Sequence, residues 1–217
     1  MKNKVFIFIY FNCIFCLGNS LALNTKFIIA PIVGQSSKKY TYLSSDAKSE
    51  INYGLHGSFY FKLYNHLFIG AGSNIIHSGF TFKDGDQYSP YTPNVKIKFW
   101  QSRNYLFFLF PFKFQNYKSS IYFRLGFGNN WLFSSTGSIV TLSGTVIKNG
   151  SPFFDKQSFF GSSNLITISS GLSRKVIRKN SIIIFGSYEL AGNPDVSYFH
   201  STGSTNVFTI AIGYEFN

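Results

Sequence analysis

Apolar and polar side chains alternate along most of this chain. In residues 208–216, Phe208, Ile210, Ile212, Tyr214 and Phe216 fall on one face, and Thr209, Ala211, Gly213 and Glu215 on the other. Side chains of a strand alternate between faces, so this stretch predicts a strand with an oily side and a small, polar side. Eight such segments can be marked. They are 26–35 (KFIIAPIVGQ), 51–63 (INYGLHGSFYFKL), 66–82 (HLFIGAGSNIIHSGFTF), 104–114 (NYLFFLFPFKF), 119–133 (SSIYFRLGFGNNWLF), 164–176 (NLITISSGLSRKV), 181–190 (SIIIFGSYEL) and 208–217 (FTIAIGYEFN). The fourth has a possible earlier start at 95–100 (VKIKFW), and the phase of the first is ambiguous. Helical periodicity is absent after the N-terminal segment.

The second segment is the clearest of the early ones, and the fourth and fifth can also be given a phase. Ile51, Tyr53, Leu55, Phe59, Phe61 and Leu63 share a face, opposite Asn52, His56, Ser58, Tyr60 and Lys62. Leu106, Phe108, Phe110, Phe112 and Phe114 share another. Ile121, Phe123, Leu125 and Phe127 stand opposite Tyr122, Arg124, Gly126 and Gly128. Pro111 disfavours a central strand of a soluble sheet, because it cannot donate to the ladder.

Connections alternate in length. Short links at 64–65, 115–118 and about 175–179 alternate with long ones at 36–50, 83–94, 134–161 and 191–204. Short turns at one end and long loops at the other predict an all-β fold, an eight-stranded antiparallel up-and-down transmembrane β-barrel. An even strand count puts both chain ends on the short-turn side. In lipid every backbone polar group must be paired, so the last strand must meet the first. Tyr214, Phe216, Trp100 and Trp131 are placed for the aromatic girdles of such a barrel.

Composition agrees. Charged residues make up 13% and aromatics 20%, with 27 Phe, against about 25% charged residues in ordinary soluble domains. Mean hydropathy is only +0.06, as alternation requires. AT-rich codon usage also raises Phe, Ile, Lys, Asn and Tyr, so the pattern weighs more than the composition. The start of the chain has Lys2 and Lys4, an apolar run over 5–17 and Ser20-Leu21-Ala22. It reads as a signal peptide over 1–22, followed by a barrel domain over 23–217, because the run is shorter than the ~20 residues of a spanning helix. Both cysteines, Cys13 and Cys16, lie in that leader, so the exported chain would hold no disulfide and no cysteine-based site. Net charge is +12, and +10 once Lys2 and Lys4 are lost with the leader. In an exported protein that points to anionic lipid headgroups, lipopolysaccharide phosphates or acidic glycans rather than nucleic acid. Codon bias toward Lys is the plainer reading and weighs about equally.

The order of pieces resembles the eight-stranded outer-membrane β-barrel family of Bacteroidetes, and more loosely the small OmpX-type barrels. The residues that carry it are the leader, INYGLHGSFYFKLYNHLFIGAG, NYLFFLFPFKF with Pro111 and Lys113, IYFRLGFG and the closing FTIAIGYEFN. Asn217 after Phe216 departs from the strictly terminal aromatic that bacterial assembly machinery reads. The resemblance implies a Gram-negative outer-membrane location and little about activity.

Inward polar residues form the first candidate constellation: Lys62, Lys113, Arg124 and Glu215, with His56 and Asn130. Glu189 joins them if the seventh segment has the matching phase. An eight-stranded barrel is just wide enough for side chains to fill, so these predict an internal salt-bridge and hydrogen-bond plug. A narrow polar pore is the second reading. Basic residues outnumber the one certain inward acid, which leaves pairing incomplete.

His56, His66, His77 and His200 show no metal-ligand spacing. His200 with Ser201 and Asp195 could form a rim triad of a lipid A-modifying enzyme, although Ser and Asp are common in any loop. Lys38, Lys39 and Lys48 lie in the first long loop, and 134–161 is the longest loop, either of which could bind a partner. Gly126 and Gly128 sit in a strand with no helix after it, which argues against a nucleotide loop. Arg174, Lys175, Arg178 and Lys179 mark a periplasmic turn. The sequence therefore predicts no catalytic, cofactor-binding or metal residue. It predicts a monomeric, non-enzymatic scaffold that displays loops, touching outer-membrane lipids, lipopolysaccharide and, during insertion, the assembly machinery. An accessory role in secretion or assembly, a lipid A-modifying activity and a soluble lipocalin-like barrel are the alternatives.

Overall fold

Phe208, Ile210, Ile212 and Tyr214 stand exposed, while Val207, Thr209, Ala211 and Glu215 are buried. The computed structural model repeats this division on every barrel strand. It describes residues 25–40, 48–83, 94–114, 118–140, 146–150, 163–177, 180–192 and 203–216. The leader over 1–22, with Cys13 and Cys16, lies outside the described residues, as do His200, Ser201 and Asp195.

The strands are β1 (Thr25–Tyr40), β2 (Lys48–Ser49), β3 (Ile51–Tyr64), β4 (Leu67–Lys83), β5 (Asn94–Lys113), β6 (Ser119–Val140), β7 (Val146–Gly150), β8 (Ser163–Ile177), β9 (Asn180–Gly192) and β10 (Gly203–Phe216). Eight of them form a closed antiparallel ring, β1-β3-β4-β5-β6-β8-β9-β10, and the short β2 and β7 add to β4 and β6. The ring closes where β1 pairs with β10, from Phe27↔Phe216 to Tyr40↔Gly203. Closure leaves no strand of the ring without a neighbour on each side, so ladder groups are paired on both sides over most of each strand. Pro31 interrupts that seam, since pairing lapses between Ile29↔Tyr214 and Ile32↔Ala211.

The predicted segments all fall on barrel strands, with ends that differ. β5 starts at Asn94, so VKIKFW belongs to it. The long 134–161 loop is shorter than read from the sequence. Residues 134–140 continue β6, and β7 pairs back onto them at Ser138↔Asn149. β5 and β6 form the longest hairpin, with a register shift at Trp100/Gln101 that leaves Phe133 without a direct partner on β5. Such a bulge increases the local twist of a long hairpin.

The distribution of apolar surface is the reverse of a soluble barrel. Phe27, Leu55, Phe108, Phe112, Phe123, Leu172, Ile184 and Ile212 point outward, whereas Arg103, Arg124, Glu189 and Glu215 are buried inside. A polar patch occupies outward positions of β4 and β5, where Ser102 bonds Ser73 at 3.2 Å and donates to Asn104 at 2.9 Å.

The inside is more apolar than alternation suggested. Tyr60, Tyr105, Phe107, Leu109, Tyr122, Ile183 and Phe185 pack in the lumen as one cluster. Glycines make the room. A Cβ on Gly72 would sit 2.9 Å from the Tyr105 ring, and one on Gly126 would sit 2.5 Å from the Thr167 methyl. Gly126 is therefore a packing glycine within the wall.

Candidate functional site

The lumen holds the densest polar chemistry, and the ladder registers explain why. His56 lies opposite Asn74, Asn74 opposite Arg103, and Arg103 opposite Asn130, so one cross-strand row places four polar side chains on the inner face. Glu189 reaches them from β9 across the barrel. Arg103 Nη1 donates to Glu189 Oε2, and Asn74 Nδ2 donates to Glu189 Oε1 at 2.6 Å. Glu189 has no exposed surface. A buried carboxylate needs a counter-charge and further donors, and it has both here.

The network continues through His56. Its Nδ1 is 2.6 Å from Asn74 Oδ1 and its Nε2 is 2.9 Å from Ser58 Oγ. With the Asn74 amide nitrogen committed to Glu189, Asn74 Oδ1 must accept, so the His56 proton sits on Nδ1 and Nε2 accepts from Ser58. Tyr105 OH approaches Nδ1 at 3.3 Å, and Arg124 Nη1 approaches Nε2 at 3.5 Å.

Arg124 is the exception to charge pairing. It is 1% exposed, yet no carboxylate pairs with it among the described residues, and its Nε and Nη2 have no partner there. Its guanidinium lies instead over the Phe107 ring at 4.3 Å, with Phe185 at 5.4 Å and Tyr122 at 5.9 Å. Aromatic faces attract a desolvated cation by about 2 kcal/mol or more, which offsets part of the cost of burial.

Glu215 is tied at the closing seam. Lys26 Nζ on β1 lies 2.5 Å from its Oε1, and Tyr60 OH on β3 donates to its Oε2. The inward acid of the last strand thus joins three neighbouring strands.

Lys62 and Lys113 need a correction. Both occupy inward positions but are exposed at the short-turn mouth, outside the buried network. Asn130 is half-buried, with its side-chain amide 2.8 Å from that of Gln101. His66 lies in the exposed β3–β4 turn. His77 is on the outer wall, stacked with Tyr53 at 4.9 Å and edge-on to Trp100 at 5.1 Å. Just beyond that aromatic group, Glu50 sits 3.6 Å from both Lys96 and Lys98. Lys38, Lys39 and Lys48 lie on strands, but their side chains are outside what is described.

Two residues carry the buried ion pair that the sequence pattern leaves incomplete. Arg103 was legible by extending the period of Leu106 and Phe108 three residues upstream. Glu189 was legible only on a condition, because Ile182, Ile183 and Ile184 run consecutively and hide the phase of β9; the strand adopts the phase that turns Glu189 inward. Among the described residues no three His, Cys, Asp or Glu side chains converge as a metal site.

No protein-family model matches this chain, and no curated protein matches it. Several solved structures are similar in fold. The attachment invasion locus protein Ail of Yersinia pestis, solved with the heparin analogue sucrose octasulfate, is 14% identical, with 89% of this chain and 100% of that chain covered and a TM-score of 0.45. Neisserial surface protein A is 11% identical over 87% of this chain and 95% of its own, with a TM-score of 0.43. The outer membrane protease OmpT of Escherichia coli is 8% identical over 89% and 96%, with a TM-score of 0.41. Similarity at this level leaves ligand and activity to be argued from the chain's own residues.

Proposed function

We propose that this chain is an outer-membrane barrel of the OmpX-like, Bacteroidetes type that serves as a non-enzymatic scaffold and presents its long loops outside the cell. The reading rests on one observation: a closed ring whose outer wall is apolar and whose interior holds the charges. Leaving that wall in water would expose many large apolar side chains, each worth about 1.5–3 kcal/mol when buried. Lipid removes that cost, and the closed ladder removes the cost of unpaired backbone groups.

Orientation follows from the ends. The β3–β4, β5–β6 and β8–β9 connections, each five residues or shorter, share a rim with the start of β1 and the end of β10, and face the periplasm in this reading. The other rim carries the long connections, Trp100, Trp131 and the Glu50–Lys96–Lys98 group, which suits contact with lipopolysaccharide. A leader over 1–22 would deliver the chain, and assembly machinery would read the β10 pattern during insertion. The packed lumen supports a structural plug rather than a channel or a catalytic cavity.

Envelope fractionation followed by gels of boiled and unboiled samples tests the reading. A membrane-bound species with a heat-dependent mobility shift is expected. A soluble periplasmic pool without such a shift would overturn it.

A further inference from the structure

The periplasmic rim is not level. The last β4–β5 pair is Phe68↔Leu109, whereas β5–β6 pairing runs on to Phe112↔Ile121 and Lys113↔Ser120. The β5–β6 hairpin therefore projects beyond the β3–β4 turn, and from Phe110 to Lys113 β5 has a neighbour on one side only. This accounts for Pro111, whose missing N–H is tolerated where a strand becomes an edge. The step leaves a cavity of about 660 Å³ between the two hairpins, lined by Lys26, Lys62, Lys113 and His66 together with Phe110 and Phe112.

Two features of this notch define a ligand. Its charge is one-sided. Lys26 is committed to Glu215, while Lys62 and Lys113 have no ion pair among the described residues. It also joins two environments, because Lys62 and Lys113 occupy inward positions while Phe110 and Phe112 are exposed on the outer wall. A free anion would use only the first side, and a hydrocarbon only the second.

We infer that the notch binds an anionic phospholipid of the periplasmic leaflet, with its phosphate at Lys62 and Lys113 and an acyl chain along Phe110 and Phe112. The volume lies within the ~300–1,000 Å³ range of small-ligand sites. An acidic peptide adding as a strand is the less suitable occupant, because the free edge is short and Pro111 removes a donor from it. The inference rests on the membrane reading and on its orientation.

The test is native mass spectrometry of the purified mature protein released from nanodiscs that contain phosphatidylglycerol and phosphatidylcholine in equal amounts. Wild type should retain phosphatidylglycerol roughly thirty-fold over phosphatidylcholine, the scale expected for two lysines at an anionic headgroup. The double variant K62Q/K113Q should lose the preference and keep its heat-dependent gel shift. The control K96Q/K98Q, at the opposite rim, should retain both. Equal retention of the two lipids by wild type, or a preference that survives K62Q/K113Q, would overturn the inference. Inorganic phosphate or glycerol phosphate bound without lipid preference would reduce the site to a free-anion site and overturn the lipid. A polyglutamate peptide bound in place of lipid would assign the notch to an acidic partner and overturn the lipid equally. A protein that shows the gel shift but no lipid preference sinks this inference alone, whereas one without the shift sinks the membrane reading beneath it.

Discussion

Arg103 on β5 and Glu189 on β9 meet across the barrel interior, 86 residues apart in sequence and both shut off from solvent. They make the central electrostatic link between opposite walls. Its energetic character is that of a buried pair: weak as a net source of stability, costly to break from one side.

Glu189→Gln should therefore destabilise the barrel by about 3–5 kcal/mol, because it strands the Arg103 cation. Replacing both, as Arg103→Met with Glu189→Leu, should recover most of that loss. Urea unfolding of the refolded protein in lipid vesicles gives both numbers. A double variant no more stable than Glu189→Gln would show that the pair is not an isolated unit.

Arg124→Met should behave in the opposite way. It removes a buried cation that has no carboxylate partner and two unpartnered nitrogen positions among the described residues, and it leaves a side chain of similar shape over Phe107. Stability should stay within about 1 kcal/mol of wild type or rise. A loss of several kcal/mol in the same unfolding assay would reveal a counter-ion or ordered water held by Arg124.

Gly72→Ala should cost about 1–3 kcal/mol through overpacking, since its Cβ would press on the Tyr105 ring at 2.9 Å. Adding Tyr105→Leu should relieve part of it. The temperature at which the compact gel band disappears ranks the three proteins. If Gly72→Ala matches wild type, the ring is free to shift.

The packed interior also predicts electrical silence. Planar bilayers loaded with the protein should show no discrete conductance steps in molar salt, because Tyr60, Tyr105, Phe107, Tyr122 and Phe185 fill the bore beside the ion pairs. Reproducible steps at wild-type sequence would contradict a plug.

Most of the wall was legible from period-two alternation, because a barrel strand divides its side chains between two solvents. The phases of β3, β6 and β10 follow directly from residues such as Asn52, Arg124 and Thr209. β5 was harder, because its run from Tyr105 to Phe110 is aromatic or aliphatic on both faces. Hydropathy cannot separate an outward-facing Phe108 from a lumen-facing Phe107, so the aromatic filling of the bore went unread. Lys62 and Lys113 have the inward parity assigned to them, but parity does not say how deep a side chain sits. That depends on where neighbouring strands stop. The uneven rim and the role of Pro111 likewise come from register, which depends on partners far away in the chain.

The seam held by Lys26, Tyr60 and Glu215 has a consequence for the order of events. Lys26 and Glu215 are 189 residues apart, so the ring cannot be sealed while β10 is still unmade or unplaced. Contacts of such long separation form late and slowly. Until that contact is made, β1 and β10 each keep one unpaired edge. Anything that delays β10 therefore prolongs the time for which the β1 edge is open to a wrong partner.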